Sequence, residues 1–214
     1  PKAEFKVVIE ADADEISWVI NYISPEGLLY VIRNGGSDQQ IAPSKRVNIH
    51  TEKVPVKAVF GWPAIHTRVR IGDGTEPQPI VENIFLDCVA RSRKEVDDLG
   101  IHVGCVCTFE DGFEELNYDY FICRAIDNRI GGFMIAEVAR LLKEKKQQLP
   151  FGLYIVNAVQ EEVGLRGAEM IAKRIKPNVA IITDVTHDST TPMINKNIEG
   201  EVKCGGGPSI TYGP

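Results

Sequence analysis

Two stretches of the second half of the chain constrain its fold most: FGLYIVNAVQ (151–160) and NVAIITDV (178–185). Each carries apolar residues at consecutive positions, so each buries both faces. Between them RGAEMIAKRI (166–175) has helical spacing. Doubly apolar strands joined through a helix are the pattern of a parallel sheet, because the crossover helix covers a face that an antiparallel meander would leave open. Upstream, NRIGGFMIAEVARLLKEKKQQ (128–148) places Ile130, Phe133, Met134, Val138, Leu141 and Leu142 on one helical face. YDYFICRA (118–125) and FKVVIEA (5–11) read as two further strands. The fold class expected is α/β, with a mostly parallel central sheet and flanking helices.

The stretch from Phe5 to Phe109 has a different texture. Short strands alternate with glycine and proline turns such as NGG and GDGTEPQP. SWVINYISPEGLLYVIR reads as a hairpin with Pro25 and Gly27 in its turn, and RVNIHTE and VPVKAVFGW add strands. Within 92–100, Ser92 is placed to cap a short helix, Glu95 to complete a capping box and Gly100 to end it. A small β-rich domain, residues 15–109, is therefore expected to interrupt an α/β domain formed by 1–14 and 110–214.

The 24 basic and 30 acidic residues leave a net charge of −6, which argues against a nucleic-acid partner. The densest basic run, Lys143, Lys145 and Lys146, reads as the solvated end of a helix. The five cysteines contain no C-x-x-C pair, so neither a disulfide scaffold nor a cysteine zinc site is expected. Cys105 and Cys107, one residue apart, should face the same side of a strand. No signal peptide is visible and no apolar run approaches the ~18 residues of a membrane span, so a cytoplasmic protein without a membrane partner is expected. Both ends of the chain look like interior sequence, which suggests a fragment.

Function is read from carboxylates at strand ends. Ligand sites of open parallel sheets form beyond the carboxyl ends of the strands. Asp127 follows the strand expected at 118–125, Glu161 and Glu162 follow 151–160, and Asp184 follows 179–183. Taken singly these have ordinary explanations: a solvated loop for the Glu pair, a helix N-cap for Asp127 and a turn for Asp184. Gathered on one sheet edge they would repel, and one or two divalent cations would remove that repulsion. Of two adjacent glutamates leaving a strand, one can bind metal while the other takes a proton. With two metals, Asp127 is placed to bridge them.

CRAIDNRIGG, VQEEVGLRGA and TDVTHD resemble, in that order and spacing, the co-catalytic metallo-aminopeptidases of the TET type, a family with glutamyl and deblocking aminopeptidases and some members labelled endoglucanase. DADEIS, GWPAIH and CGGGPSI are similar to further segments of that family, so the resemblance spans essentially the whole chain. It implies a two-metal aminopeptidase acting on peptides, with Asp127 as bridging ligand, Glu161 as general base, and Glu162 and Asp184 each binding one metal. Zinc is the first expectation, with cobalt or manganese as alternatives. Asp14 resembles the aspartate that orients a ligand two residues earlier. At that earlier position the family has histidine and this chain has Asp12, so Asp12 is expected to be an altered ligand. The family's final histidine ligand lies beyond this chain's last residue. Residues 15–109 are similar to the insertion through which such subunits dimerise, and the family's dimers assemble into dodecamers.

His66, in GWPAIH, is a candidate substrate-side residue. His187 is within three residues of Asp184, whereas His50 and His102 lie in strand-like segments and read as structural. Arg129 and Arg166 either support the carboxylates or form surface ion pairs. CGGGPS lacks the Gly-Lys-Ser/Thr ending of a phosphate loop. A related metal-dependent deacylase or carboxypeptidase, or a non-catalytic oligomeric homologue, is the alternative reading. Glycosidase chemistry would need two carboxylates flanking a sugar rather than a metal cage.

Overall fold

The computed structural model describes residues 3–68 and 77–211. In chain order the elements are β1 (Lys6–Asp12), β2 (Ser17–Ile23), β3 (Leu29–Asn34), β4 (Arg46–His50), β5 (Val56–Gly61), α1 (Ile65–Arg68), β6 (Phe85–Asp87), α2 (Arg93–Asp98) and β7 (Val106–Phe109). There follow β8 (Glu114–Glu115), β9 (Phe121–Ile122), α3 (Ile126–Glu144), β10 (Gly152–Ala158), α4 (Arg166–Ile175), β11 (Val179–Ile182) and α5 (Lys196–Glu199).

Six antiparallel strands close a barrel in the order β2-β3-β6-β5-β4-β7. Closure leaves no unpaired edge between these strands. Trp18, Ile20, Ile23, Leu29, Ile49, Phe60 and Leu86 fill its interior, with Trp18 and Phe60 in edge-to-face contact at 5.2 Å. Strict alternation along β2 would put Ile20 inside and Ile23 outside. An irregularity in pairing with β3 between Ile20 and Tyr22 inserts one residue and returns Ile23 to the core. The β2–β3 turn uses Gly27 at φ +90°, where an added Cβ would lie 2.6 Å from the Ala90 carbonyl oxygen. Cys105 and Cys107 are both buried, as their spacing predicts, and burial pushes the Cys107 thiol up to about 12.

Helix α2 begins at Ser92, whose hydroxyl accepts from the Glu95 amide at 3.3 Å. The Glu95 carboxylate accepts from the Arg91 amide at 2.7 Å, one residue beyond the expected capping-box partner. Gly100 follows the helix with a left-handed φ of +80°.

The second layer is a parallel sheet in the order β10-β1-β11. Its central strand comes from the start of the chain. In register, Asp12 lies beside Ala158 and Glu10 beside Ile182, so the three strands end together. Ile135 of α3 packs on Ile9, Ala11 and Leu153, covering one face. No described helix is long and apolar enough to cross a membrane.

Two expectations need correction. The segment 118–125 is not a strand of the parallel sheet: only Phe121 and Ile122 form a strand, and they pair with Glu115 and Glu114 in a two-stranded ribbon. Asn117 and Asp119 flank Tyr118, and both Tyr118 and Asp119 have left-handed φ, so turn chemistry breaks the aromatic run that otherwise reads as strand. Tyr118 is 91% exposed. Strand β11 is likewise not buried: Val179, Ile181 and Ile182 are exposed among the described residues.

Candidate metal centre

The common end of the three strands gathers the acidic residues. Asp12 closes β1 and is 4% exposed. Its Oδ1 accepts a hydrogen bond from Asn128 Nδ2 at 2.7 Å, whereas its Oδ2 is buried with no partner among the described residues. Asp184 lies two residues beyond β11. The preceding Thr183 holds that end to β1, its amide and hydroxyl both donating to the Glu10 carbonyl oxygen at 2.9 and 3.1 Å. Asp127 stands at the head of α3, reached from the β8–β9 ribbon rather than from a sheet strand.

Glu161 and Glu162 leave β10 after Gln160, which is left-handed at φ +62° and turns the chain sharply. The Glu161 carbonyl then accepts from the amides of Gly164 and Leu165, both at 3.0 Å, and its own amide donates to Asp14 Oδ1 at 3.0 Å. Asp14 is thus bonded to the backbone of the candidate base. Glu162 meets the barrel, since a Cβ at Gly35 would lie 3.0 Å from its carbonyl oxygen.

The electrostatics of the cluster are those of unrelieved like charge. Burial, then Asp184 and Asp12, raises the Asp127 carboxyl above its ordinary range. Burial, then Asp12, Asp184, Asp127 and Asp14, raises Glu161. Glu162 goes up to about 7, through burial first and then Asp127, Glu161, Asp14 and Asp12. Glu10, inside β1 and buried, is raised by burial and by Asp12, Glu161 and Asp184. All the charges acting on these four carboxyls are negative, which is the condition a divalent cation relieves.

The donor set is all oxygen. Among the described residues no three His, Cys, Asp or Glu side chains converge into a ready-made ligand cage. The residues nevertheless suit a hard or borderline divalent cation, because one buried carboxylate oxygen of Asp12 has no other partner among the described residues. Asp12, Asp127, Glu162 and Asp184 would hold such ions, leaving Glu161 beside them.

Other candidates fall elsewhere. His66 is exposed on α1, at the border of the described residues, and His187 is exposed in the loop after β11. His50 bonds the Thr108 hydroxyl at 2.9 Å, and His102 Nδ1 bonds the Val103 carbonyl oxygen at 2.8 Å. Arg129 donates to Glu15 at 2.9 Å, and Arg166 is exposed. In the CGGGPS segment the Cys204 amide donates to Asp188 at 2.8 Å, which ties the loop to itself.

Four residues that sequence reasoning does not single out join the site. Glu15 accepts from Arg124 Nε at 2.7 Å and from Arg129, while Arg124 Nη1 donates to the Phe109 carbonyl oxygen at 3.0 Å. This ion cluster joins the barrel's last strand to the head of α3. Asn128 is fully buried, and Glu10 supplies a further carboxylate. Only Glu10 has a visible signal, a carboxylate directly after the apolar run Val7–Ile9.

Comparison with known proteins agrees with this architecture. FrvX of Escherichia coli (strain K12) is 34% identical over 207 residues, which are 96% of this chain and 56% of that protein. The TET aminopeptidase of the marine sediment archaeon Thaumarchaeota archaeon SCGC AB-539-E09 superposes with a TM-score of 0.89 at 27% identity, over 97% of this chain and 57% of that one. The Pyrococcus horikoshii TET1 peptidase, whose structure is described as a tetrahedron or a large octahedral shell, gives a TM-score of 0.75 at 29% identity, over 86% of this chain and 54% of that one. The chain thus spans about half the length of the relatives it matches. With residues 1–213 matching its sequence profile, the chain belongs to the M42 glutamyl aminopeptidase family.

Proposed function

We propose that this chain carries the carboxylate half of a two-metal aminopeptidase centre that removes residues from the amino ends of peptides. The observation that carries the reading is a carboxylate oxygen of Asp12, buried and without a partner among the described residues, near enough to Asp127, Glu161, Glu162 and Asp184 for the charges to act on one another. Family membership and the TET aminopeptidase likeness support it. Two divalent ions there would polarise the scissile carbonyl and lower the pKa of water toward ~7. Asp12, Asp127, Glu162 and Asp184 are the residues that would hold the ions, with Asp127 as the shared ligand. Glu161 takes the proton of the attacking water and returns it to the leaving amine. Asp14 fixes the Glu161 backbone through its bond to the amide. Zinc is the first candidate, and an all-oxygen set also accepts manganese or cobalt.

The barrel, within residues 15–109, is proposed as the dimerisation module of a homo-oligomer. The shells described for the TET1 peptidase are the support for this. His66 keeps a proposed substrate-side role at the border of the described residues.

The test is Glu161→Gln in the full-length protein, with aminoacyl-anilide substrates and metal analysis side by side. Hydrolysis should fall at least 100-fold with metal content unchanged. Loss of metal instead would assign Glu161 to the ligand set. A second reading, a non-catalytic oligomeric homologue, is favoured by the absence of a converged ligand cage among the described residues. Wild-type protein that is inactive on the whole panel with two equivalents of zinc, cobalt or manganese would establish it.

A further inference from the structure

Asn128 is 0% exposed and has no surface to bind anything, so its carboxamide serves only the groups packed around it. Its amide hydrogens are both committed. Nδ2 donates to Asp12 Oδ1 at 2.7 Å and to the Thr183 carbonyl oxygen at 2.6 Å, while Oδ1 accepts from the Gly131 amide at 3.1 Å. The orientation of the carboxamide follows from these partners: a carboxylate and a carbonyl require the nitrogen, and an amide N–H requires the oxygen. Room for it is made by Gly131, where a Cβ would lie 2.3 Å from Asn128 Oδ1 and 2.9 Å from Thr183 Oγ1.

The three partners belong to three different chain segments, each of which carries a candidate ligand. Asp12 ends β1. Thr183 follows β11 and precedes Asp184. Gly131 lies in the first turns of α3, whose head carries Asp127, the residue before Asn128. One carboxamide therefore ties together the three chain segments that carry Asp12, Asp127 and Asp184. At Asp12 it engages only Oδ1, which leaves Oδ2 without a partner among the described residues.

Resting on the two-metal reading above, we infer that Asn128 is the positioning residue of the centre. It holds Asp12 as a ligand through one oxygen and sets the spacing of Asp127 and Asp184 around it. A side chain that only filled the junction would need volume there, not two donors and an acceptor. Outer partners of this kind contribute about 10–100-fold to metal affinity when removed.

The experiment is calorimetric titration of the metal-free full-length protein with Mn²⁺, comparing wild type with Asn128→Asp and Asn128→Ala. Asn128→Asp preserves shape and presents an acceptor to Asp12 and Thr183 in place of a donor. Binding at one site or more should weaken at least 10-fold in both variants, with circular dichroism unchanged. Wild-type affinity and stoichiometry in a folded Asn128→Asp variant would overturn the role of Asn128 and leave the two-metal reading standing. Wild-type protein that binds no Mn²⁺, Zn²⁺ or Co²⁺ would overturn both. Should neither variant fold, asparagine-labelled wild type decides. Asn128, the fully buried asparagine among the described residues, gives the slowly exchanging side-chain amide. That signal should shift on Zn²⁺ addition, and an unmoved signal at saturation overturns the inference.

Discussion

The acid cluster makes a signed prediction about stability. Glu162 rises from the ordinary carboxyl value of 4.5 to about 7 in the folded chain, mainly through burial and then through Asp127, Glu161, Asp14 and Asp12. A raised folded value means that the native state holds the proton more tightly than the unfolded chain does. The stability it contributes is fully present below 4.5 and is lost as pH rises through about 7. Unscreened, that rise has a ceiling of roughly 3 kcal/mol. Glu162 is only partly buried, so solvent screening reduces its own share to about 1 kcal/mol. Asp127, Glu161 and Glu10 shift in the same direction and add to it.

The assay is urea unfolding of the metal-free protein in EDTA at several values between pH 5 and 8, repeated with saturating Mn²⁺. In EDTA the unfolding free energy should fall across this range by about 1–2 kcal/mol. With Mn²⁺ the fall should vanish or reverse, because a cation favours the ionised ligands and competes with protons for them. Glu162→Gln should flatten the EDTA profile by its share. A metal-free profile that is level or rises from pH 5 to 8, or a Glu162→Gln profile that follows wild type, would refute the reasoning, since the carboxylates would then not act on one another.

Further outcomes are expected elsewhere. Trp18→Ala should cost the barrel about 3–5 kcal/mol in urea unfolding, through lost transfer energy and the cavity left against Phe60; a loss under about 1 kcal/mol would mean that the barrel core collapses to fill it. Glu15→Gln removes the charge shared by Arg124 and Arg129, and at 16% side-chain exposure its loss should cost about 2 kcal/mol in thermal unfolding, between the values for surface and buried pairs. A melting temperature equal to wild type would show the cluster to be a solvated surface pair. Asp12→His replaces a hard donor with imidazole and should move calorimetric metal preference from manganese toward zinc or cobalt; an unchanged order of affinities would remove Asp12 from the ligand set.

What was legible from the residues follows the distance over which each interaction acts. The helices α3 and α4, the strands flanking α4, the Ser92 cap and the Gly27 turn are set by neighbours a few positions apart, and local pattern predicts them. The segment 118–125 reads as a sheet strand because aromatic and β-branched residues count toward a strand whether or not a partner strand exists. Asn117 and Asp119 were the available counter-signal. Strand β11 was misjudged for a related reason: its composition says that it can be buried, while its exposure is decided by what pairs and packs against it. The site divides along the same line. Acidic residues at strand ends can be found by spacing, since the sheet brings strand ends together. Their partners cannot, because Asn128 reaches Asp12 across 116 positions and Asp14 reaches Glu161 across 147. Neither Asn128 nor Asp12 is informative alone. Asn128 reads as a polar residue inside a helix, and Asp12 as a carboxylate where the family resemblance implies a histidine. Only their contact shows that the amide takes one carboxylate oxygen and leaves the other buried without a partner. A buried acceptor left in that state costs on the order of 1–3 kcal/mol. Stability alone gives no reason to keep it, whereas a cation bound at Oδ2 would offset that cost.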